Sequence, residues 1–436
     1  MRKNLVVGIL KEEKSEWEGR APLTPSDVKW LVEKGVGVEI ESSPKRVFKD
    51  HAYRTSGAKI VDKIDKAKLL VGIKGPSEER AQRNKIYMYF THMAKGQSQN
   101  MPLLKKFMKN KVTLVDYEKV TDIHGRRLVF FGRFAGICGI VDSLHYIGKR
   151  LKRKGIDNPF TLLKLSWEYR SLEELKKDMG RIDRHIRRKG FGKKISPFII
   201  GITGHGNVSK GVQEILSLLN AVEIHPRDIG RFIKHQKYVH NEIYKIVFLR
   251  EEKLRTKDGK GFYFEEYLEH PKRFESNLDN YLPYLNMLVH TSYWDRRYPR
   301  MVTKDMIKKA FRRRNFRLEL ISDISCDIMG SIEFTHKVAS LNDPVYTYDP
   351  VKDAYVDGYK GKGVTVLAVD NLPAELPKDS SKDFGSLIRD YVYQIAAHGV
   401  KDITAHAAIP AEIRKAVILQ EGRLTKGYKY LKKDLV

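Results

Sequence analysis

Apolar residues in the first part of this chain fall into short runs separated by segments of helical spacing. Leu5–Leu10, Val36–Ile40, Leu69–Ile73, Ile86–Phe90 and Val112–Val115 read as strands. Thr24-Pro25-Ser26-Asp27 opens a helix whose buried stripe is Val28, Leu31 and Val32, and Gly35 ends it. Leu103–Met108 is a further helix. Strands alternating with helices predict a parallel sheet covered on both faces. A long helix begins near Gly136, with Ile137, Ile140, Val141, Leu144 and Ile147 on one face, and a basic, mostly helical region follows to Lys194.

The run Phe198-Ile199-Ile200-Gly201-Ile202-Thr203 then feeds Gly204-His205-Gly206-Asn207-Val208-Ser209-Lys210-Gly211 and an amphipathic helix carrying Val212, Ile215, Leu216 and Leu219. Strand, Gly-x-Gly and helix in that order are how a Rossmann unit seats a pyrophosphate. Gly204 permits the tight turn, Gly206 has no side chain to hold phosphates away, and the helix start offers unpaired N–H groups. Ser209 stands where a third glycine is usual; it is small enough to pack there, and its hydroxyl could bond a phosphate oxygen. Asn207 and Val208 complete the loop. The charged stretch Lys234–Asp279 reads as an insertion beside this nucleotide unit. Strands return at Leu285–His290, Leu318–Ile321 and Val364–Val369, and the tail holds a helix from Ser386 to Ala397.

Length and charge refine this picture. A chain of 436 residues exceeds one hydrophobic core, so two or three domains are expected. No run approaches the roughly 20 apolar residues of a membrane span, and the first apolar run is followed by Lys11-Glu12-Glu13-Lys14 rather than a cleavage site. Two cysteines, Cys138 and Cys326, support neither a disulfide nor a zinc framework, and no metal is expected. The expectation is a soluble, cytoplasmic protein without a membrane partner. The net charge of +28 is densest at Lys149–Lys154, Arg181–Lys194 and Lys308–Arg317. It admits a solvated basic surface, steering of anionic substrates or nucleic-acid binding. No nucleic-acid-binding motif accompanies it, so nucleic acid is not expected as a principal partner.

Several collinear segments carry a resemblance. They include Glu16-Trp17-Glu18-Gly19-Arg20-Ala21-Pro22, Leu70-Val71-Gly72-Ile73-Lys74-Gly75-Pro76, Phe90-Thr91-His92-Met93-Ala94-Lys95 and Asp116-Tyr117-Glu118. Phe131-Gly132-Arg133-Phe134-Ala135-Gly136, the Gly204 loop, Asp323-Ile324-Ser325-Cys326-Asp327 and Asp370-Asn371-Leu372-Pro373 follow in the same order. Together they resemble the lysine-ketoglutarate reductase part of aminoadipate semialdehyde synthases and, more broadly, lysine-forming saccharopine dehydrogenases and the alanine dehydrogenase superfamily.

The resemblance implies an α/β fold of two Rossmann-like domains with a cleft between them. A dinucleotide-binding domain, 134–369, is inserted in a discontinuous substrate domain, 1–133 plus 370–436. It implies condensation of lysine with 2-oxoglutarate and hydride reduction of the imine to saccharopine. The chain ends where a saccharopine-oxidising half would begin, so a separate saccharopine-oxidising enzyme is an expected partner. Lys74 and His92 match the family's acid–base pair, and histidine can both take and give a proton near neutral pH. Arg20 matches the substrate-carboxylate arginine, its fork suited to two bonds; a salt bridge to the Glu12–Glu18 cluster is the alternative. Glu118 is a candidate for the incoming amino group, and Arg133 for a second carboxylate. Asp323 or Asp327 would lie near the nicotinamide, and Asp370 and Asn371 near the return crossing.

The strand Ala221–Ile224 ends in His225-Pro226-Arg227 without a carboxylate, which favours a 2′-phosphate and hence NADPH over NADH. A ribose-binding Glu223 is the counter-reading. Fold alone does not fix substrate. Another amino-acid or opine dehydrogenase, such as alanine dehydrogenase, is therefore the nearest alternative. A basic nucleic-acid-associated protein with a vestigial nucleotide fold is the alternative of another class.

Overall fold

A computed structural model describes residues 5–398 and 402–435. The chain divides into two compact units, Met1–Phe131 with Pro377–Val436, and Gly132–Leu376. The first unit begins with β1 (Val7–Ile9), β2 (Val38–Glu41), β3 (Lys59–Val61), β4 (Leu69–Val71), β5 (Ile86–Tyr89) and β6 (Thr113–Asp116). The second supplies β7 (Phe198–Thr203), β8 (Val222–Glu223), β9 (Ile243–Phe248), β10 (Leu254–Thr256), β11 (Phe274–Ser276), β12 (Met287–His290), β13 (Leu320–Asp323), β14 (Val345–Asp349), β15 (Ala354–Asp357) and β16 (Val364–Leu367). The chain then completes the first unit with β17 (Val417–Gln420) and β18 (Arg423–Leu424).

Each unit is built on an eight-stranded sheet, ordered β18-β17-β6-β5-β4-β1-β2-β3 in the first and β15-β14-β16-β13-β12-β7-β9-β8 in the second. Strands β1–β6 are parallel throughout. So are β8, β9, β7, β12, β13 and β16. The all-parallel expectation fails at one edge of each sheet, where β17–β18 and β14–β15 add antiparallel hairpins. A tight turn can join only antiparallel neighbours. Between β17 and β18 that turn is Glu421-Gly422, both at positive φ (49° and 80°), the geometry a two-residue hairpin needs.

The strands form because their residues are wholly buried. Val7 and Ile9, Leu69–Val71 and Ile86–Tyr89 lie in one core, and Ile199, Ile246, Leu288, Ile321 and Val366 in the other. Thr24 caps the Pro25–Glu33 helix through a reciprocal pairing with Asp27. The long helix starts four residues earlier than expected and spans Gly132–Arg153. It presses on the Asn207–Leu218 helix at two glycines. A Cβ on Gly136 would lie 2.0 Å from the Val208 carbonyl oxygen, and one on Gly211 would lie 2.0 Å from the Arg133 carbonyl oxygen. That close approach fixes the helix that begins at the glycine loop.

Three expectations are corrected. The charged stretch Lys234–Asp279 is not merely an insertion, because it contains β9, the strand paired with β7 along its whole length. The segment Ala221–Ile224 contributes only β8, an exposed two-residue strand on the far side of β9. The tail helix begins at Pro377, not Ser386.

Candidate functional site

In the first unit, four consecutive parallel strands end in charged residues. Glu12 follows β1, Lys74 follows β4, His92 follows β5 and Glu118 follows β6, and the sheet order is β6-β5-β4-β1. Parallel strands stand about 4.8 Å apart, so these residues leave one edge of the sheet as a row. Ligands of open α/β sheets bind at such carboxyl ends.

Glu12 was not a sequence candidate. It is buried, and its two oxygens accept from the amides of Ile73 (2.6 Å) and Lys74 (3.0 Å), which fixes the turn that presents the lysine. Burial pushes its carboxyl up to about 7 despite those hydrogen bonds. Its signal in the sequence was drowned in the run Lys11-Glu12-Glu13-Lys14. Burial also holds the Lys14 ammonium below the usual lysine range, and the nearby Lys74 charge pushes the same way.

His92 sits in the left-handed region (φ 53°), where a non-glycine residue is strained. Asp116 holds this turn: its carboxylate accepts from Thr91 Oγ1 (2.7 Å), from the Thr91 amide (3.3 Å) and from the Glu118 amide (3.0 Å). His92 Nδ1 lies 3.3 Å from Glu118 Oε2, and Arg127 Nη2 lies 2.9 Å from Glu118 Oε1. Burial alone would raise Glu118, but the His92 hydrogen bond and the Arg127 charge override it and hold the carboxyl near 2. Each Glu118 oxygen thus faces one cationic or titratable partner, and the contact with His92 orients that ring.

Arg20 is buried, with its guanidinium 4.2 Å from the centre of the Phe131 ring. Its Nε and Nη2 donate to Glu18 at 2.7 and 2.6 Å, the salt bridge weighed as the alternative. Phe131 stacks on Phe384 (centroids 4.2 Å apart), and Phe90 joins the same aromatic cluster beside His92.

The second unit carries the nucleotide features. Gly204 has φ 95°, open to glycine and hostile to other residues. A Cβ on Gly206 would meet nothing within 4 Å, so the space over the start of the Asn207–Leu218 helix is open. Asn207 and Val208 form the first turn, whose amides have no partners within the helix. These features fit a diphosphate. Ser209 is fully buried and its Oγ accepts from Gln213 Nε2 (3.1 Å), so it packs rather than reaching a phosphate.

Because β9, not β8, flanks β7, the residues after β9 are the ones that leave the sheet beside the glycine loop. They are Leu249, Arg250, Glu251, Glu252 and Lys253. Arg250 is exposed, with its guanidinium 4.4 Å from the centre of the Phe264 ring. Glu252 is turned back, its Oε2 accepting from the Leu249 amide at 2.6 Å and its Oε1 lying 3.4 Å from His225 Nε2. Lys253 is buried and donates to Ser292 Oγ, beside Gly204, and burial pushes its ammonium down to about 8. Burial likewise pushes His290 down to about 3, a neutral ring 2.8 Å from Thr203 Oγ1. Arg227 lies on the outer turn after β8, exposed and 3.9 Å from Asp228. Glu223 pairs with Lys245 at 2.9 Å. Glu223 lies on β8 and Arg227 on the turn after it, so neither follows the strand beside β7, the premise on which the ribose argument rested.

The remaining candidates separate clearly. Asp323 is buried at the end of β13, accepting from Ser325 Oγ and Thr335 Oγ1 (both 2.6 Å), and burial pushes it up to about 6. Asp327 is exposed on the following turn. Arg133 forks onto Glu214 (2.8 and 2.9 Å), which ties the two packed helices together. Asp370 is exposed and Asn371 half-buried, both between β16 and the Leu372–Glu375 turn. Among the described residues, no cluster of metal-ligating side chains occurs and no helix is long and apolar enough to cross a membrane.

The N-terminal domain model of the alanine dehydrogenase/PNT family matches residues 8–138, and its C-terminal domain model matches residues 239–427. The chain is 34% identical to alpha-aminoadipic semialdehyde synthase of Arabidopsis thaliana, over 98% of this chain and 41% of that protein. It is 23% identical to the NAD(+), L-lysine-forming saccharopine dehydrogenase of Yarrowia lipolytica, over 88% of this chain and 91% of that one. The chain spans less than half the length of the aminoadipic semialdehyde synthases it matches. A solved L-alanine dehydrogenase superposes with a TM-score of 0.64 at 19% identity, over 99% of this chain and 100% of that one, a likeness of fold. With the models for both halves of one family matched in order along its length, this chain belongs to the alanine dehydrogenase/PNT superfamily.

Proposed function

We propose that this protein is an oxidoreductase that condenses L-lysine with 2-oxoglutarate and reduces the product to saccharopine, reversibly, with NADPH preferred over NADH. The observation that carries the reading is the row Glu12, Lys74, His92 and Glu118 at the ends of four adjacent parallel strands. The likeness to aminoadipic semialdehyde synthase and to the lysine-forming saccharopine dehydrogenase supports the substrate class.

Imine formation needs a proton taken from the attacking amine and a proton given to the departing hydroxyl. His92 Nδ1 faces Glu118, so Nε2 is the nitrogen that exchanges protons with substrate. Lys74 Nζ is the second proton carrier, its backbone held by Glu12. Arg20, aligned by Glu18 and Phe131, supplies charge for a substrate carboxylate. Reduced nicotinamide supplies the hydride when bound. The Gly204–Asn207 turn receives its diphosphate, and Asp323 shapes the loop after β13. Arg250 follows the strand beside β7 and takes over the 2′-phosphate role first ascribed to Arg227, which supports the NADPH preference. Asp370 and Asn371 stay as substrate-binding proposals, the cytoplasm as the proposed compartment, and a separate saccharopine-oxidising enzyme as the proposed consumer of product.

The test is loss of nicotinamide absorbance on mixing protein and NADPH with lysine and 2-oxoglutarate, then with pyruvate and ammonia. Turnover with the first pair alone supports the reading; turnover with the second alone makes the protein an alanine-type dehydrogenase. Lys74→Met and His92→Gln should each lower turnover by about 10²–10⁴-fold and leave NADPH affinity intact. Equal loss of cofactor affinity would remove them from the chemistry.

A further inference from the structure

The first sheet has a second charged edge, opposite the candidate site. Lys68 immediately precedes β4, Lys85 precedes β5, and Lys111 lies just before β6, so three cations stand at the amino ends of three adjacent parallel strands. At about 4.8 Å between strands they form a row about 10 Å long. The C-terminal segment adds Arg423 beside that edge, and the groove runs on along β17 and β18 to Lys119, Arg414, Lys415 and Lys426, near the carboxyl end of β6. Together these residues line an open groove of about 1410 Å³ whose only lining carboxylate, among the described residues, is Glu421.

The charge in this groove is uncompensated. Some cations in the long basic runs have carboxylate partners: Lys154 with Glu319, Arg181 with Asp178, Arg187 with Asp183 and Lys309 with Asp305. None of the eight groove cations lies within 4.0 Å of a carboxylate among the described residues. Lys85 is tied to the carbonyl oxygens of Asp65 and Ala67 (both 2.6 Å), and Lys68 to that of Asn84, contacts that fix position without cancelling charge. Burial holds the Lys85 ammonium below the usual lysine range, and the Lys68 charge pushes the same way. Like charges gathered without counter-charges disfavour the folded state unless an anion joins them.

The shape of the charge selects the anion. A mono- or dicarboxylate would engage one or two cations and leave the row unmatched. A chain of linked phosphates presents several charges in a line. A single-stranded nucleic acid would also need exposed faces for stacking bases. Of the two tyrosines lining the groove, Tyr428 is buried and donates to the Lys415 carbonyl (3.0 Å), which leaves Tyr430, donating to the Ala94 carbonyl (2.6 Å), as the single exposed ring rather than a series of stacking faces. We propose that this groove is an oligophosphate-binding site, taking an inorganic phosphate chain or the phosphate tail of a nucleotide, distinct from the row Glu12, Lys74, His92 and Glu118, none of which lines it.

The experiment is titration calorimetry of the full chain at physiological ionic strength with tripolyphosphate, ATP, citrate and a single-stranded oligonucleotide. It is run on the native protein and on the triple variant Lys111→Ala/Arg423→Ala/Lys426→Ala, whose three residues are exposed. Tripolyphosphate should bind the native protein and bind the variant about 10–100-fold more weakly, the product of three exposed charge contacts. Melting temperature without ligand should not fall, and nicotinamide turnover should be unchanged. Equal affinity for ATP and tripolyphosphate assigns the site to a bare phosphate chain. Tighter ATP binding that is lost in the variant assigns it to a nucleotide. No binding of tripolyphosphate, affinity unchanged in the variant, citrate binding as tightly, or the oligonucleotide binding more tightly would each overturn the proposal.

Discussion

Replacing Glu118 with glutamine tests whether the His92 turn is held electrostatically. The carboxyl lies near 2 against an ordinary 4.5, a gap of about 2.5. At 1.36 kcal/mol for each tenfold change, that gap corresponds to about 3.4 kcal/mol. The Glu118 side chain is 8% exposed, but His92 and Arg127 are 45% and 47% exposed. Solvent screening through those partners reduces the expected loss to about 1–2 kcal/mol at pH 7. The folded carboxyl binds its proton more weakly than the unfolded one. Its stabilisation is therefore complete above about 4.5 and disappears as pH falls toward about 2. Glutamine carries no titrating charge, so the difference between the two proteins should shrink to nothing across that window. Hydrogen exchange of the β5 and β6 amides at graded urea, measured at several pH values, reports the first unit by itself. A difference that persists undiminished at pH 2, or none at pH 7, would refute the electrostatic account.

Three further outcomes follow from the second unit. Gly204→Ala places a Cβ 2.8 Å from Ser292 Oγ at a φ of 95°, and should weaken NADPH binding at least about tenfold in a fluorescence titration; unchanged affinity would disconnect the loop from the cofactor. Arg250→Ser should move the kcat/KM ratio toward NADH by at least about tenfold while Arg227→Ser leaves it unchanged, and the reverse pattern would restore Arg227 to the ribose site. Asp142 and Glu375 are both held above the usual carboxylate range, mainly by burial, so the folded state retains protons that the unfolded state releases. Stability should accordingly fall as pH rises from the ordinary carboxylate range. Asp142→Asn should flatten that fall in thermal melts, and parallel curves for the two proteins would exclude a shared proton.

What could be read from the sequence was what local geometry forces. Gly204 announces itself because a turn at φ 95° admits little else, and β7 because all six of its residues are buried. Strand β9 hid because Lys245 interrupts its apolar run; that ammonium reaches Glu223 on β8 and Gln213, a partnership that exists only once the sheet has formed. Mistaking β8 for the neighbour of β7 then carried the ribose argument to Arg227. Glu12 was illegible for a related reason: its partners, the Ile73 and Lys74 amides, are more than sixty residues away. Charge density along the chain misled in the opposite direction. The dense basic runs lie on separate surface helices, while lysines scattered along the sequence converge on one groove of the first unit.

The hairpin β17–β18 closes a sheet whose other strands all lie before residue 117. The intervening Gly132–Leu376 is contiguous and has its own core. During synthesis that middle portion can therefore acquire its native packing while the flanking sheet still lacks two strands at one edge, leaving the outer side of β6 unpaired until β17 and β18 leave the ribosome. Slow translation of the segment after Leu376 would lengthen the interval in which that edge can recruit a foreign strand.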